Sequence, residues 1–461
     1  MFVGRKKELR RLEEFYNGPG KVMAVTGRAG VGKTTLLRSF SEDKNSVFFT
    51  AYPTTGAQEL SVLAEALGID RYEGLSDLLD VLTTRAKTGK KPLLFIVDHY
   101  PYFAKADAAF PKLLHHYVTE VWENLPVRLI LCGDLFLSMK KTVTDKKAIW
   151  YPLLADQMEL MGLDFFESRE FFPDATPADA AFYYGITGGI PYHLTQIGGG
   201  RKETIGRMFL QPEDAATLMP EKTLSLELRE LSYYNRILSA LATGINRVNQ
   251  ISEAVEKPKD IVVPYMNTLI ELGTVQKENP VTEPTNRRKT RYSIVNTRDI
   301  FWYRYIVPHI GLYYSGRTEE LWKKYIAPNI GDFMKPVFTR MCREYLLRTS
   351  EDKTLPFQIH AIGNWWENDD EKKTTEGFDL VALGQTREGR EMTAYACCYS
   401  SDRPVTLVRI RELIRLTGHV RGKNEEDRYI AFAHGGFNET AQTAASAVKN
   451  IMLVSLEDIC R

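Results

Sequence analysis

The sequence predicts an α/β protein that opens with a parallel sheet flanked by helices. Two observations carry this expectation. Four short apolar runs, "KVMAVTG", "SVFFTAY", "PLLFIVD" and "VRLILCGD", alternate with helical stretches between residue 1 and about residue 200. Strands spaced by helical crossovers are the pattern of a parallel sheet covered on its faces. The pattern then changes: residues 225–300 read as three helices and a hairpin, and residues 332–461 return to α/β. The glycine-rich "GGGRKE" at 198–203 suits a loop or boundary, and "FWYRYIVP" opens a helical bridge between the later sections. No repeat or low-complexity segment stands out, which argues against a solenoid.

A chain of 461 residues exceeds one ordinary core, so two or three domains are expected. With 44% apolar and 26% charged residues the composition is that of a globular protein. A net charge of +1 gives no chain-wide attraction to nucleic acid or membrane. Five cysteines, odd in number and without paired CxxC spacing, argue against a disulfide framework or a zinc site. The charged start "MFVGRKKELRRL" carries no apolar signal core, and no apolar run approaches a bilayer span. A cytoplasmic location without membrane contact is the expectation.

The strand "KVMAVT" runs into Gly27, Arg28, Ala29, Gly30, Val31, Gly32, Lys33, Thr34 and Thr35, which fit G-x-x-x-x-G-K-[ST] throughout. A helical "TTLLRSFSE" follows. Glycines allow successive backbone N–H groups to face phosphates, and the helix start adds its positive end. Lys33 is placed to neutralise β- and γ-phosphate oxygens, and the Thr34 hydroxyl to ligate Mg²⁺. A nucleoside triphosphate and Mg²⁺ are therefore the expected cofactors. Asp98 closes "PLLFIVD" and is the second expected Mg²⁺ ligand, acting through water.

His99 follows where a second acidic residue usually polarises the attacking water. A neutral imidazole, with an ordinary pKa of about 6.5, is a poorer acceptor beside a triphosphate, although it can act as a base. Asp134 ends "VRLILCGD", where a small hydroxyl or amide is more common, and is a candidate for orienting water. A plain surface or packing histidine and a strand-end turn are the plainer readings of these two residues.

Taken with "FVGRKKEL", "VDHYPYF", "LILCGD" and "GITGGIPYHL", the chain resembles the archaeal-type P-loop ATPases related to the STAND and AAA-like classes. The resemblance spans nearly the whole chain and implies nucleotide switching. In that family an arginine-containing tract often precedes the last strand of the ATPase domain; here Ile149 to Asp156 reads "IWYPLLAD", without arginine. A cation there would stabilise charge on the leaving phosphates, so its absence joins His99 in arguing against fast hydrolysis. Arg28 is a candidate substitute.

In "SYYNRILSALATG", Ile237, Leu238 and Leu241 fall at helical spacing. "RVNQISEAV" and "KDIVVPYMNTLIELG" follow as helices, the latter stopping at Gly273, and "TVQKENPV" and "RYSIVN" read as wing strands around "TEPTNRRKT". This is a winged-helix pattern. It has two readings: DNA binding, with the 260–272 helix in the major groove and Arg287, Arg288, Lys289 and Arg291 on phosphates, or packing on the nucleotide domain or a protein partner. The candidate recognition helix carries Asp260 and Glu271, and only Asn267 suits base readout.

The stretch from Asn364 to about residue 416 resembles a restriction-endonuclease-like core. Active versions carry a carboxylate on one strand and Glu-x-Lys on the next, the carboxylates binding metal and the lysine assisting water. Asp379 matches the first carboxylate, but Ala396-Cys397-Cys398 stands where Glu-x-Lys is expected, and Thr339 where the preceding helix would carry Glu. Cys397 and Cys398 are expected on opposite sheet faces.

The expected fold is thus a P-loop NTPase parallel sheet with helices (1–200, with a helical lid toward its end), a linker and winged helix (201–300), and a helical bridge with a degenerate α/β restriction-endonuclease-like domain (301–461). The expected function is an ATP-binding switch with slow or absent hydrolysis and an inactive nuclease-like domain. The alternative is an ATP-regulated DNA-binding regulator or defence-associated module. Expected partners are ATP, with DNA, a protein or a second copy of the chain as candidates.

Overall fold

The computed structural model describes residues 2–134, 136–211, 220–369, 374–416, 426–448 and 450–461. The chain divides into two compact units. The first comprises Met1–Leu163, Ile190–Tyr192 and Lys222–Arg229; the second comprises Asp164–Gly189, His193–Glu221 and Glu230–Arg461.

The first unit is built on five parallel strands: β1 (Val22–Thr26), β2 (Asn45–Thr50), β3 (Leu93–Asp98), β4 (Val127–Gly133) and β5 (Leu154–Glu159), in the order β2-β3-β4-β1-β5. This is the P-loop NTPase fold expected from the strand–helix alternation. The central strands read as unbroken apolar runs because both faces are covered. Val22 and Ala24 of β1, Phe95 and Val97 of β3, and Leu129 and Leu131 of β4 join one core, with α3 (Gly56–Leu67) and α4 (Leu75–Thr88). Their sequence neighbours Met23, Val25, Ile96, Ile130 and Cys132 join the other, with α1 (Lys6–Asn17) and α2 (Lys33–Ser41). The period of two along each strand thus splits the apolar side chains between two cores.

The topology places β4 between β1 and β3, so the carboxyl ends of all three strands converge at one rim of the sheet. Crevices at such a rim, where the strand order switches, are where open α/β sheets take ligands.

In the second unit, helices Ser232–Ala242, Val248–Val255 and Lys259–Glu271 are followed by the antiparallel pair β6 (Val275–Glu278) and β7 (Arg291–Ile294). This is the element order expected for residues 225–300. Ile237 and Leu238 are fully buried and Leu241 nearly so, and Gly273 ends the third helix in a left-handed conformation (φ 62°).

Helix Ile330–Glu351 then leads to a mixed sheet of β8 (Phe357–Asp369), β9 (Thr374–Thr386), β10 (Glu391–Tyr399), β11 (Arg428–Ala433) and β12 (Ile451–Ser455), in the order β12-β11-β10-β9-β8. Strands β8, β9 and β10 pair antiparallel, while β10, β11 and β12 pair parallel. Among the described residues no helix is long and apolar enough to cross a membrane.

One expectation is corrected: the chain does contain a short internal repeat. Trp302, Tyr305, Ile306, Pro308, Ile310 and Gly311 recur in order as Trp322, Tyr325, Ile326, Pro328, Ile330 and Gly331. Each copy folds as a π-helical turn (Trp302–Ile306, Trp322–Ile326), a 3₁₀ turn (Val307–His309, Ala327–Asn329) and then α-helix. The proline in each 3₁₀ turn lacks the N–H that α-helical bonding would use. The copies contact each other reciprocally. The Tyr305 hydroxyl donates to the Asn329 carbonyl (2.6 Å), and Tyr325 stacks on His309, the counterpart of Asn329, at 3.6 Å between ring centroids. Residue i meeting j while j meets i is the mark of a local two-fold relation. The repeat escapes a composition scan because it occurs only twice and its outward residues differ.

Candidate nucleotide site

The phosphate loop joins β1 to α2. Gly32, the residue before α2, has φ 92°, a conformation that strains any residue with a Cβ. At Gly27 a Cβ would lie 2.6 Å from the Leu160 carbonyl oxygen, so that glycine is required by close approach. The start of α2 has no side-chain cap, which leaves its first N–H groups as an anion site. Lys33 is 6% exposed, and its ammonium bends back over the loop, donating to the carbonyls of Gly27 (2.8 Å) and Arg28 (3.1 Å).

Asp98, at the end of β3, is fully buried. One carboxylate oxygen accepts the Thr34 hydroxyl at 2.6 Å and the other the His99 backbone N–H at 3.0 Å. The hydroxyl and carboxylate expected around Mg²⁺ therefore meet, although they come from different elements. Cys132 on β4 is buried near Asp98; burial pushes its thiol well above its ordinary range, and the Asp98 charge adds to the effect.

His99 adopts a left-handed backbone, φ 56°. Histidine is among the residues that enter this region more readily than most. The turn aims the His99 N–H at Asp98 and starts the helix Tyr100–Ala106, while the ring stacks on Tyr102 with centroids 6.0 Å apart. The next residue, Tyr100, is locked in place: its hydroxyl accepts the Trp150 indole N–H at 2.7 Å, both side chains being buried. This gives the arginine-free tract Ile149–Asp156 a packing role. Its tryptophan anchors the turn after Asp98, Leu154 begins β5, and Asp156 pairs with Arg11 at 2.6 Å.

Asp134 follows the end of β4 at the same rim, within electrostatic range of Tyr102 and Cys132. Burial, with the Asp134 charge second, raises the Tyr102 hydroxyl above its ordinary range.

These residues fit a nucleoside triphosphate with a divalent cation: an uncapped helix start, a glycine cradle too tight for side chains, a buried lysine, and a hydroxyl–carboxylate pair. Lys33 and the loop N–H groups would hold phosphate oxygens, and Thr34 and Asp98 the Mg²⁺. When bound, the cation supplies positive charge against the phosphates.

Residues that motif reading did not assign complete the site. Arg5, 4% exposed, donates from its guanidinium to the carbonyls of Val31 (2.9 Å) and Met161 (2.7 Å) and pairs with Glu8 at 3.0 Å. It clamps the phosphate loop to the chain beyond β5. The "GGIPYHL" stretch also reaches the loop, the Tyr192 N–H donating to the Gly30 carbonyl at 3.2 Å. The sequence signal was present, since both segments belonged to the quoted pattern, but their roles depend on contacts distant in sequence.

In the second unit the basic wing divides. Arg287 and Arg288 are exposed. Lys289 bridges Glu283 (2.7 Å) and Glu367 of β8 (2.6 Å), and Arg291 lies over the Trp366 ring at 4.2 Å. Burial, with Arg247 adding repulsion, brings Arg291 down to about 10. Two of the four candidate phosphate contacts are thus engaged within the protein. The outer face of helix Lys259–Glu271 presents Ile261, Val263, Asp260 and Asn267.

Asp379 on β9 accepts the Cys398 backbone N–H at 2.8 Å. Burial raises its carboxyl above the ordinary range, opposed by that N–H and by Lys335. Cys398 faces Cys342 and Thr339 of helix Ile330–Glu351, whereas Cys397 packs with Ile410 and Leu413 on the other face. Trp365 and Trp366 are both buried. Among the described residues no group of three or more His, Cys, Asp and Glu could hold a metal ion.

Residues 302–403 match the family DUF234, described as archaea bacterial proteins of unknown function. An uncharacterized protein of Methanocaldococcus jannaschii is 24% identical over 94% of this chain and 95% of its own length. The Walker-type ATPase of Pyrococcus abyssi superposes with a TM-score of 0.52 at 18% identity, covering 66% of this chain and 96% of that one. The ORC2 protein of Aeropyrum pernix, in its ADPNP–ADP complexes, gives a TM-score of 0.42 at 15% identity, covering 65% and 92%. The chain has the fold of the Walker-type ATPases, followed by a mixed-sheet section that includes the family-matched residues.

Proposed function

We propose that this chain binds ATP with Mg²⁺ and works as a nucleotide-dependent switch whose hydrolysis is slow. The observation that carries the reading is the 2.6 Å bond between the Thr34 hydroxyl and the fully buried Asp98 carboxylate, beside Lys33. A buried carboxylate held by a hydroxyl at a helix start is suited to a bridging divalent cation. Slow hydrolysis is supported by His99, whose left-handed backbone and stacked ring serve the turn, and by the arginine-free tract, whose tryptophan is committed to packing.

The restriction-endonuclease-like reading of the C-terminal sheet goes with loss of cutting activity. Asp379 is a single carboxylate, and Ala396-Cys397-Cys398 offers neither a second carboxylate nor a lysine. Calorimetric titration with ATP–Mg²⁺ tests the core of the proposal. Wild type should bind and Lys33→Ala should not; equal binding by both, or by neither, sinks it.

Exposed Arg287 and Arg288 favour a second reading, in which the helices and hairpin form a winged helix that engages DNA. A gel shift across a salt series tests it: phosphate contacts predict affinity that falls steeply as salt rises. Binding indifferent to salt, or none, removes the reading.

A further inference from the structure

We propose that the groove beside Trp322 docks an acidic segment of a partner protein, one of whose carboxylates accepts the Trp322 indole N–H. The inference is independent of the nucleotide reading, and every residue of this chain that it uses lies in the second unit.

The two copies of the internal repeat are built alike and covered differently. In the first copy Trp302 is fully buried, and the Glu221 carboxylate accepts its indole N–H at 3.2 Å. The next residue, Tyr303, is also buried and donates its hydroxyl to Asn235 of helix Ser232–Ala242 at 2.9 Å. The chain itself thus supplies the cover of the first copy. In the second copy the equivalent positions hold Trp322, which is half-buried, and exposed Lys323. Among the described residues none accepts the Trp322 indole N–H.

Trp322 lines an open cavity of about 610 Å³, together with Thr318, Glu319, Gly198, Lys202 and Gly206. That volume falls within the range of ligand-binding clefts. Gly206 lies in helix Arg201–Phe209, and a Cβ added there would meet nothing within 4 Å. The groove is therefore open at that wall to a side chain from outside. An indole offers such an occupant an apolar face and one polar N–H in need of an acceptor.

The first copy shows which acceptor fits: a carboxylate brought by a separate stretch of chain. The charge around the second copy agrees. Residues 202–210 and 317–324 carry five lysines and arginines against three glutamates. Two of those glutamates are already paired, Glu319 with Lys202 (2.9 Å) and Lys323 (3.2 Å), and Glu320 with Lys324 (2.7 Å). The surplus of positive charge complements an acidic segment. A continuous phosphate backbone would instead run against Glu203 and Glu319 in the cavity wall, which favours a peptide over nucleic acid.

The test is fluorescence anisotropy on the full-length chain, with melting temperatures recorded alongside. The probe is a labelled peptide of residues 220–226 carrying Lys222→Glu, which reproduces the cover of the first copy with added negative charge. Wild type should bind it. Adding Glu221→Gln to the peptide should weaken binding about tenfold, as should Trp322→Phe in the protein, which keeps a ring but removes the N–H. Gly206→Leu should fill the groove and abolish binding without lowering the melting temperature, since leucine is the better helix former. No binding by wild type, unchanged binding in Gly206→Leu or in Trp322→Phe, or equal affinity for the two peptides overturns the inference. So does a short DNA duplex that wild type binds and Gly206→Leu does not, which would assign the groove to nucleic acid.

Discussion

Replacing Arg5 by alanine should weaken both the first unit and its hold on nucleotide. The guanidinium spans three partners: the Val31 carbonyl inside the phosphate loop, the Met161 carbonyl beyond β5, and the Glu8 carboxylate. Hydrogen bonds that involve a charged group contribute about 1.5 kcal/mol or more each. The two carbonyl contacts therefore amount to about 3 kcal/mol. The ion pair adds little, because the Glu8 side chain is 25% exposed and screening leaves such pairs at about 0.5 kcal/mol. In a unit of this size each kcal/mol shifts the melting temperature by about 2–4 °C, so Arg5→Ala should melt roughly 10 °C lower.

Nucleotide affinity should fall as well, because a released loop must be ordered again by the ligand. A cost of about 1.4 kcal/mol is a tenfold rise in Kd. Arg5→Lys keeps the charge but cannot span two carbonyls with a planar fork, so it should recover less than half of each loss. Differential scanning fluorimetry and calorimetry read the two effects. A variant that melts within about 2 °C of wild type and binds ATP–Mg²⁺ equally would refute the clamp.

Three further outcomes are expected. His99→Glu should raise phosphate release about tenfold or more, a general base being worth roughly a hundredfold or more and the left-handed turn costing part of it; turnover equal to wild type would show that the histidine is no handicap. Any DNA affinity should run through the exposed wing residues, so Arg287→Ala with Arg288→Ala should reduce the salt slope by about 2, whereas Lys289→Ala should leave it unchanged; the opposite pattern would contradict the contacts Lys289 makes with Glu283 and Glu367. The third concerns pH. The Asp379 carboxyl is raised above its ordinary range by burial. Its contribution is complete below the unfolded value of about 3.9 and is lost as pH rises through the higher folded value. Asp379→Asn removes that loss, so urea unfolding should show the variant gaining on wild type as pH rises above about 4; parallel stability profiles would argue against a penalty at this site.

Much of the site was legible because its chemistry is local. Gly27 to Thr35 form one turn, and a turn's glycines and its following helix are written consecutively. The strands were equally plain, since burial on both faces makes their apolar runs continuous. His99 was legible as a departure but not as a cause: only the backbone, at φ 56°, shows that the residue shapes the turn that aims an N–H at Asp98. The basic wing illustrates the opposite risk. Four cations within five residues read as a surface, yet Lys289 and Arg291 are used against Glu367 and Trp366 of β8 in the other sheet.

By itself, then, the sequence determined the phosphate loop, the parallel sheet, the helix–hairpin succession and the lack of a carboxylate and lysine at Ala396-Cys397-Cys398, because these follow from local spacing and residue type. Tertiary structure alone decided that Arg5 and Tyr192 hold the phosphate loop of Gly27 to Thr35, and that Trp150 supports the turn after Asp98. Those pairings join residues far apart in the chain, and no periodicity or motif encodes which buried donor will meet which acceptor until the sheet has brought the strand ends together.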